Sequence, residues 1–249
     1  MSANRADDKT RMERVWILHD EQDCRFALAD AEKRVLIVPN ENENEKQRGF
    51  ISSVRAQARA VEVKDGYAAG HCERVERYAE IVAQHYGTFD ADWLFTLRVG
   101  AVLHDIGKVA IPGSILCKPA ALDDDERAQI QNHSVIGGRI VRMLHGFNLE
   151  PIVRHHHERF DGNGYPWGLK GTTIPLESRI ILIADTFDAM TSDRPYRQAL
   201  PAETAFEELE RCSGTQFDPD LVSVALEAGA QLEAARLEMQ SETSRDYFN

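Results

Sequence analysis

From about residue 50 onward, apolar residues recur at helical spacing. Val75, Tyr78, Ala79, Val82 and Tyr86 keep an i, i+3, i+4 rhythm, which predicts an amphipathic helix. Asp90 or Asp92 is placed to cap a second, mostly apolar helix running through Leu94, Leu97 and Ala101 to His104 and Gly107. Asp123 and Glu126 have capping-box spacing and predict the start of a helix carrying Ile130 and His133. Gly146 is expected to end a helix from about Val135 to His145, and a further helix should cover Glu150 to Glu158. The segment DGNGYPWGLKG, residues 161–171, holds four glycines and a proline and reads as a loop. Ser178 to Thr191 returns to helix, and two helices over about 202–212 and 219–240 precede a polar tail, SETSRDYFN.

The first 49 residues differ. Residues 1–13 are polar, and Arg14 to Pro39 contains two short β-branched runs, RVWILHD and KRVLIVP, around FALAD. These predict two or three small strands. ENENEKQRG, residues 41–49, reads as an acidic, turn-like linker. The expected organisation is therefore a short appendage over 1–49, a helical domain over 50–240 and a tail over 241–249. The fold class is mainly α with a small β-containing N-terminal piece.

Composition narrows the chemistry. The 249 residues are 43% hydrophobic, enough for a core, and no window approaches the roughly 18 apolar residues of a membrane span. No secretory h-region opens the chain, and the four cysteines, Cys24, Cys72, Cys117 and Cys212, form no C-x-x-C pair. A cytoplasmic protein with reduced thiols is expected. A net charge of −12 argues against a broad basic surface for long nucleic acid.

Most of the nine histidines fall between His71 and His157. Taken with nearby carboxylates, His71, His104, Asp105, His133, His156, His157 and Asp185 recur about once per expected helix, beside apolar residues. His104 and Asp105 are adjacent inside the apolar run VGAVLHDIGKVAIP. An imidazole and a carboxylate there are costly to bury unless something compensates them, and a metal ion does so. The donor types suit iron, manganese, zinc or nickel, and a carboxylate is the natural bridge between two ions.

Several blocks carry a resemblance: DGYAAGHCERV (65–75), LHDIGKVAIPGSILCKPAAL (103–122), His133 followed by Gly137, HHERFDGNGYPWGLKGTTIPLESRI (156–180), IADTFDAMTSDRPYR (183–197) and GTQFDPDLV (214–222). In family order they resemble the HD-GYP domain, a subgroup of the HD phosphohydrolase superfamily. That resemblance implies an HD-type helical bundle. It implies hydrolysis of cyclic di-GMP by a hydroxide bridging two divalent ions, most readily Fe or Mn, with Zn and Ni open. The implied ligands are His71, His104, Asp105 as bridge, His133, His156, His157 and Asp185. Some family members hold a third ion with a glutamate four residues before the first histidine; here that residue is Tyr67, which favours two metals.

Lys108, three residues after Asp105, is implied to contact the scissile phosphate and help protonate the leaving group. Arg194 and Arg197 match phosphate-binding positions, and Gly164, Tyr165 and Pro166 form the naming motif, with Tyr165 offered to a guanine. Asp161 is expected to order the loop, and Asp188 to orient substrate or support a ligand rather than bind metal. The product is linear pGpG or GMP. The resemblance leaves room for protein partners such as diguanylate cyclases at the GYP loop, and for a homodimer. The competing readings are a phosphodiesterase for another cyclic dinucleotide such as cyclic GMP-AMP, and a non-catalytic cyclic di-GMP binding module.

Overall fold

The computed structural model describes residues 17–19, 26–29, 35–38, 41–65, 70–194 and 197–246. It divides into two compact units, Met1–Phe50 and Ile51–Asn249. In the first, strands Ile17–His19 (β1), Phe26–Ala29 (β2) and Val35–Val38 (β3) pair antiparallel in chain order, with Ile17 opposite Leu28 and Ala27 opposite Ile37.

The expected linker at 41–49 is helix instead: α1 runs from Glu41 to Asp65. Its opening turns lack apolar periodicity, which concealed them. They are nevertheless rich in Glu, Lys, Gln and Arg, all good helix formers, and acidic residues suit a helix N-terminus. From Ile51 a buried stripe appears, continuing through Val54, Ala58 and Val61.

Helix α2, His71–Tyr86, lies at the centre of the second unit. Val75, Tyr78, Ala79 and Val82 are wholly buried, and the helix packs against α3 (Ala91–Leu103), α8 (Leu176–Thr191), α10 (Pro219–Glu227) and α11 (Gly229–Asp246). Tyr78 meets Phe187 of α8 edge to face, with ring centroids 5.1 Å apart. Each large apolar side chain buried in this way contributes about 1.5–3 kcal/mol. Asp90 caps α3 by accepting from the Trp93 amide, and Asp123 with Glu126 forms the expected capping box at α5 (Asp124–Gln131).

Several expected helices are shorter than their apolar rhythm. The α3 helix stops at Leu103, and Ile106–Ala110 forms a 3₁₀ turn. Ile130 and His133 lie on separate helices, α5 and α6 (His133–Val141). The α6 helix ends four residues before His145, and Gly146 sits in a left-handed turn beyond it, at φ 94°. Helix α7 covers only Leu149–Arg154. The expected 219–240 helix breaks at Ala228, where the Phe206 ring packs against Gly229, and α11 continues through the expected tail to Asp246. Helices α4 (Gly113–Leu116) and α9 (Ala202–Arg211) complete the unit.

Candidate metal centre

The shortened helices expose their reason at the site. His104, His133 and His156 each use Nδ1 to donate to the carbonyl three residues earlier: Ala101 (2.7 Å), Ile130 (2.6 Å) and Val153 (2.6 Å). His104 closes α3, His133 opens α6, and His156 follows the end of α7, so the candidate ligands stand at helix ends. His71 opens α2 and hydrogen-bonds through Nδ1 to Asp188, at 2.7 Å. A carbonyl only accepts, so Nδ1 carries the proton in the first three, and Nε2 is left with a lone pair.

Those Nε2 atoms converge. The His71 and His104 nitrogens lie 3.3 Å apart, as do those of His133 and His156. Two lone pairs at that distance repel unless a proton or a metal cation lies between them. Asp105 sits between the two pairs. Its Oδ1 is 3.1 Å from His133 and 3.9 Å from His156, while its Oδ2 is 3.4 Å from His104 and 3.9 Å from His71. Two donor groups result, Asp105–His133–His156–His157 and His71–His104–Asp105, sharing the one carboxylate. Asp185, from the middle of α8, reaches the first histidine at 3.5 Å. These nitrogens and oxygens fit two divalent cations.

Electrostatics agrees with a site built for cations. Burial and the neighbouring imidazoles hold His156 far below its usual range and His157 down at about 3, so both present lone pairs. Burial opposes a proton on His104, but the Asp105 charge outweighs it and pushes the group up to about 9. A cation at Nε2 would take that proton's place.

Lys108 stands on the 3₁₀ turn, where three residues per turn put it on the same face as Asp105. Its ammonium donates to Asp105 at 2.6 Å and to Asp65 at 2.7 Å. Asp188 is 2% exposed and accepts from His71 and from Arg74 Nε at 2.6 Å. Burial opposes its ionisation, yet His71 and Arg74 hold the carboxyl at about 2. In that position it orients the His71 ring.

A cavity of about 920 Å³ opens over this floor, lined among others by Asp105, Lys108, His157, Asp185, Asp188 and Arg194. Gly164, Tyr165, Pro166 and Arg197 are not among its lining. The Arg197 guanidinium donates instead to the carbonyls of Ala189 and Met190, tying down the end of α8. The Tyr165 ring covers His157, with centroids 4.8 Å apart, and with Pro166 it borders a separate groove of about 400 Å³ beside α5 and α6. A Cβ on Gly164 would lie 2.2 Å from the Arg159 amide nitrogen, so the turn admits glycine alone. Asp161 orders the loop as expected, pairing with Arg159 at 2.8 Å and accepting from the Asn163 amide. Tyr67, the basis for expecting two ions rather than three, lies outside the described residues.

Sequence reasoning missed the supports. Asp65 holds Lys108, and Lys64 donates to the carbonyls of Val109 (2.7 Å) and Ile111 (2.6 Å). Glu62 accepts from the amides of Gly70 and Cys72 at the start of α2. Glu158, 1% exposed, holds the GYP loop by accepting from Trp167 (2.8 Å) and Leu169 (3.0 Å). A carboxylate in a strongly apolar or glycine-rich stretch was the available signal.

Comparison with known proteins gives the same picture. A model described as HD domain matches residues 55–221. A cyclic di-GMP phosphodiesterase response regulator of Xanthomonas campestris is 40% identical over 81% of this chain and 53% of that protein. A 3'3'-cGAMP-specific phosphodiesterase of Vibrio cholerae is 41% identical over 67% of this chain and 36% of that protein. The chain thus spans about half or less of these relatives. In fold, it matches a crystal structure of a cyclic GMP-AMP specific phosphodiesterase of V. cholerae with a TM-score of 0.53, at 21% identity over 70% of this chain and 48% of that one.

Proposed function

The chain belongs to the HD domain family, of the HD-GYP type, and on that premise we propose that it is a metal-dependent phosphodiesterase that hydrolyses cyclic di-GMP. The observation that carries this reading is the Asp105 carboxylate. One oxygen faces each of two imidazole sets, with Lys108 at 2.6 Å, on the floor of a cavity of about 920 Å³. A cavity of that size accommodates a ligand as large as a dinucleotide.

His71, His104, Asp105 and Asp185 would hold one cation, and Asp105, His133, His156 and His157 the other. Two divalent ions so held supply Lewis acidity toward the phosphate and lower the pKa of water toward neutrality. The histidines hold their Nε2 lone pairs ready because their Nδ1 protons are committed elsewhere. Lys108 has a specific part. Burial opposes its charge, but Asp105 and Asp65 outweigh burial and raise its pKa, so it stays cationic. Its ammonium, 2.6 Å from Asp105 on the cavity floor, is placed to act by charge on a phosphoryl oxygen and to offer a proton toward the leaving 3′ oxygen. Arg194 borders the cavity as a phosphate contact, whereas Arg197 braces the segment carrying it. Tyr165 and Asp188 position His157 and His71.

The 41% identity to a 3'3'-cGAMP-specific enzyme supports one second reading, hydrolysis of 3'3'-cyclic GMP-AMP at the same centre. Metal analysis of anaerobically purified protein, with parallel assays on both dinucleotides, tests the proposal. Protein loaded with Mn²⁺ or Fe²⁺ is expected to bind two ions and hydrolyse cyclic di-GMP. Asp105→Ala abolishes turnover and lowers metal content, whereas Lys108→Ala lowers turnover alone. Two-metal protein that turns over neither dinucleotide under reducing conditions refutes the enzyme. A firmly held third ion refutes the two-metal count.

A further inference from the structure

The cations around the cavity are mostly committed. Lys108 is held by Asp105 and Asp65, Arg74 by Asp188, and Lys118 by Glu126 at 2.5 Å. Besides Arg194, already read as a phosphate contact, Arg127 is different. It stands on α5 and lines the cavity with Leu122 and Ile130, and among the described residues its guanidinium has no hydrogen-bond or ion-pair partner.

The lack of a partner has a local cause. Asp123, four residues earlier, is at the spacing of a helical ion pair, but its oxygen accepts from the Glu126 amide at 2.8 Å. Glu126, the adjacent acid, returns to the Asp123 amide and takes Lys118. The capping box thus turns the Asp123 carboxylate to the helix N-terminus and away from Arg127. Helix α5 also divides its faces: Arg127 and Ile130 turn to the cavity, whereas Ala128, Gln131 and Asn132 border the separate groove.

A cyclic dinucleotide carries two phosphodiesters. If one is cut at the metal centre beside Lys108, the other lies elsewhere in the cavity, still charged, and needs a cation. We propose that Arg127 binds this second phosphate, making it a determinant of affinity for two-phosphate substrates. The inference rests on the cyclic dinucleotide reading above. A planar guanidinium with all its donors free suits a phosphate that is held but not cut.

Steady-state kinetics of the metal-loaded protein test it. Cyclic di-GMP and 3'3'-cyclic GMP-AMP serve as two-phosphate substrates, and bis(p-nitrophenyl) phosphate as a one-phosphate control. Arg127→Ala is expected to raise KM for the cyclic dinucleotide about tenfold or more, with kcat within about twofold and metal content unchanged. The control substrate keeps its kcat/KM. Arg127→Lys recovers only part of the lost affinity, since it keeps the charge without the planar fork, and the rise of KM with salt is shallower in Arg127→Ala than in wild type.

An unchanged KM in Arg127→Ala overturns the inference, as does a parallel loss on the control substrate. If the rise of KM with salt is as steep in Arg127→Ala as in wild type, no charge contact with a phosphate was removed, and the phosphate assignment falls. Wild-type protein that cleaves neither dinucleotide takes down the function and this inference together. Wild-type turnover with an indifferent Arg127→Ala takes down only the inference.

Discussion

Gly107→Ala should dismantle one half of the metal centre while leaving the fold recognisable. Gly107 lies in the 3₁₀ turn between Asp105 and Lys108, pressed against the start of α6. A Cβ there would stand 1.9 Å from the His133 carbonyl oxygen and 2.6 Å from the Gly137 nitrogen. Both are backbone atoms, so no side-chain rotation relieves the clash. Restoring ordinary contact needs a separation of roughly 1.3 Å or more between the turn and α6. Asp105 and His133 ride on those two segments, 3.1 Å apart. A metal site tolerates only about 0.2 Å of error in its ligand distances. The Asp105–His133–His156–His157 site should therefore lose its ion, and His71–His104–Asp105 should hold one more weakly.

Overpacking of this kind costs about 3 kcal/mol, which in a unit of this size lowers Tm by roughly 6–12 °C. The assay is metal content after exhaustive dialysis, paired with thermal melting followed by circular dichroism. Gly113→Ala is the control, because nothing lies within 4 Å of the added carbon. A Gly107→Ala protein that keeps two ions and its wild-type melting temperature would show that the turn does not set the ligand spacing.

Asp188→Asn removes the charge that orients His71 and partners Arg74, and should weaken metal affinity about 10–100-fold; isothermal titration with Mn²⁺ reads it, and an unchanged affinity refutes the supporting role. Glu158→Gln keeps the shape but exchanges one acceptor oxygen for a donor beneath the GYP loop, and should cost about 1–3 kcal/mol locally. Faster amide exchange confined to residues 161–171 is expected, and exchange unaltered there contradicts the assignment. Gly164→Ala should prevent the turn from closing and uncover His157 beneath the Tyr165 ring, seen as faster modification of His157 by diethyl pyrocarbonate in peptide mapping of metal-free protein; a wild-type rate argues against the 2.2 Å conflict.

The fold class was legible because α2 and α8 present clean apolar stripes, and the capping signals at Asp90 and Asp123 were local and strong. Helix ends were less legible at the site. Apolar rhythm runs through His104 and on from Ile130 to His133, so it predicted continuous helices. What stops them is an imidazole bound to a carbonyl three residues back, which periodicity does not encode. The opposite error befell α1, whose opening is polar throughout and was taken for a linker. The clustering of the histidines was legible through its motif spacing, since the structure gathers them around Asp105. The arginines were not. Arg194 and Arg197 stand three residues apart with backbones paired to each other, and only their side-chain directions separate a cavity residue from a brace.

The last turn of α1 has a consequence for what counts as the smallest working piece of this molecule. A fragment beginning at Gly70 would carry all seven histidines and aspartates of the metal centre. It would lack Asp65, which holds the Lys108 ammonium, and Lys64, which gathers the carbonyls at the end of the 3₁₀ turn. It would also lack Glu62, which fixes the backbone just before and after His71. Such a fragment would keep the proposed ligand set, with Lys108 tethered on a single side, by Asp105. Inventory of ligands and competence for chemistry are therefore separable along the chain, and the dividing line falls within four residues at the end of one helix, Glu62 to Asp65.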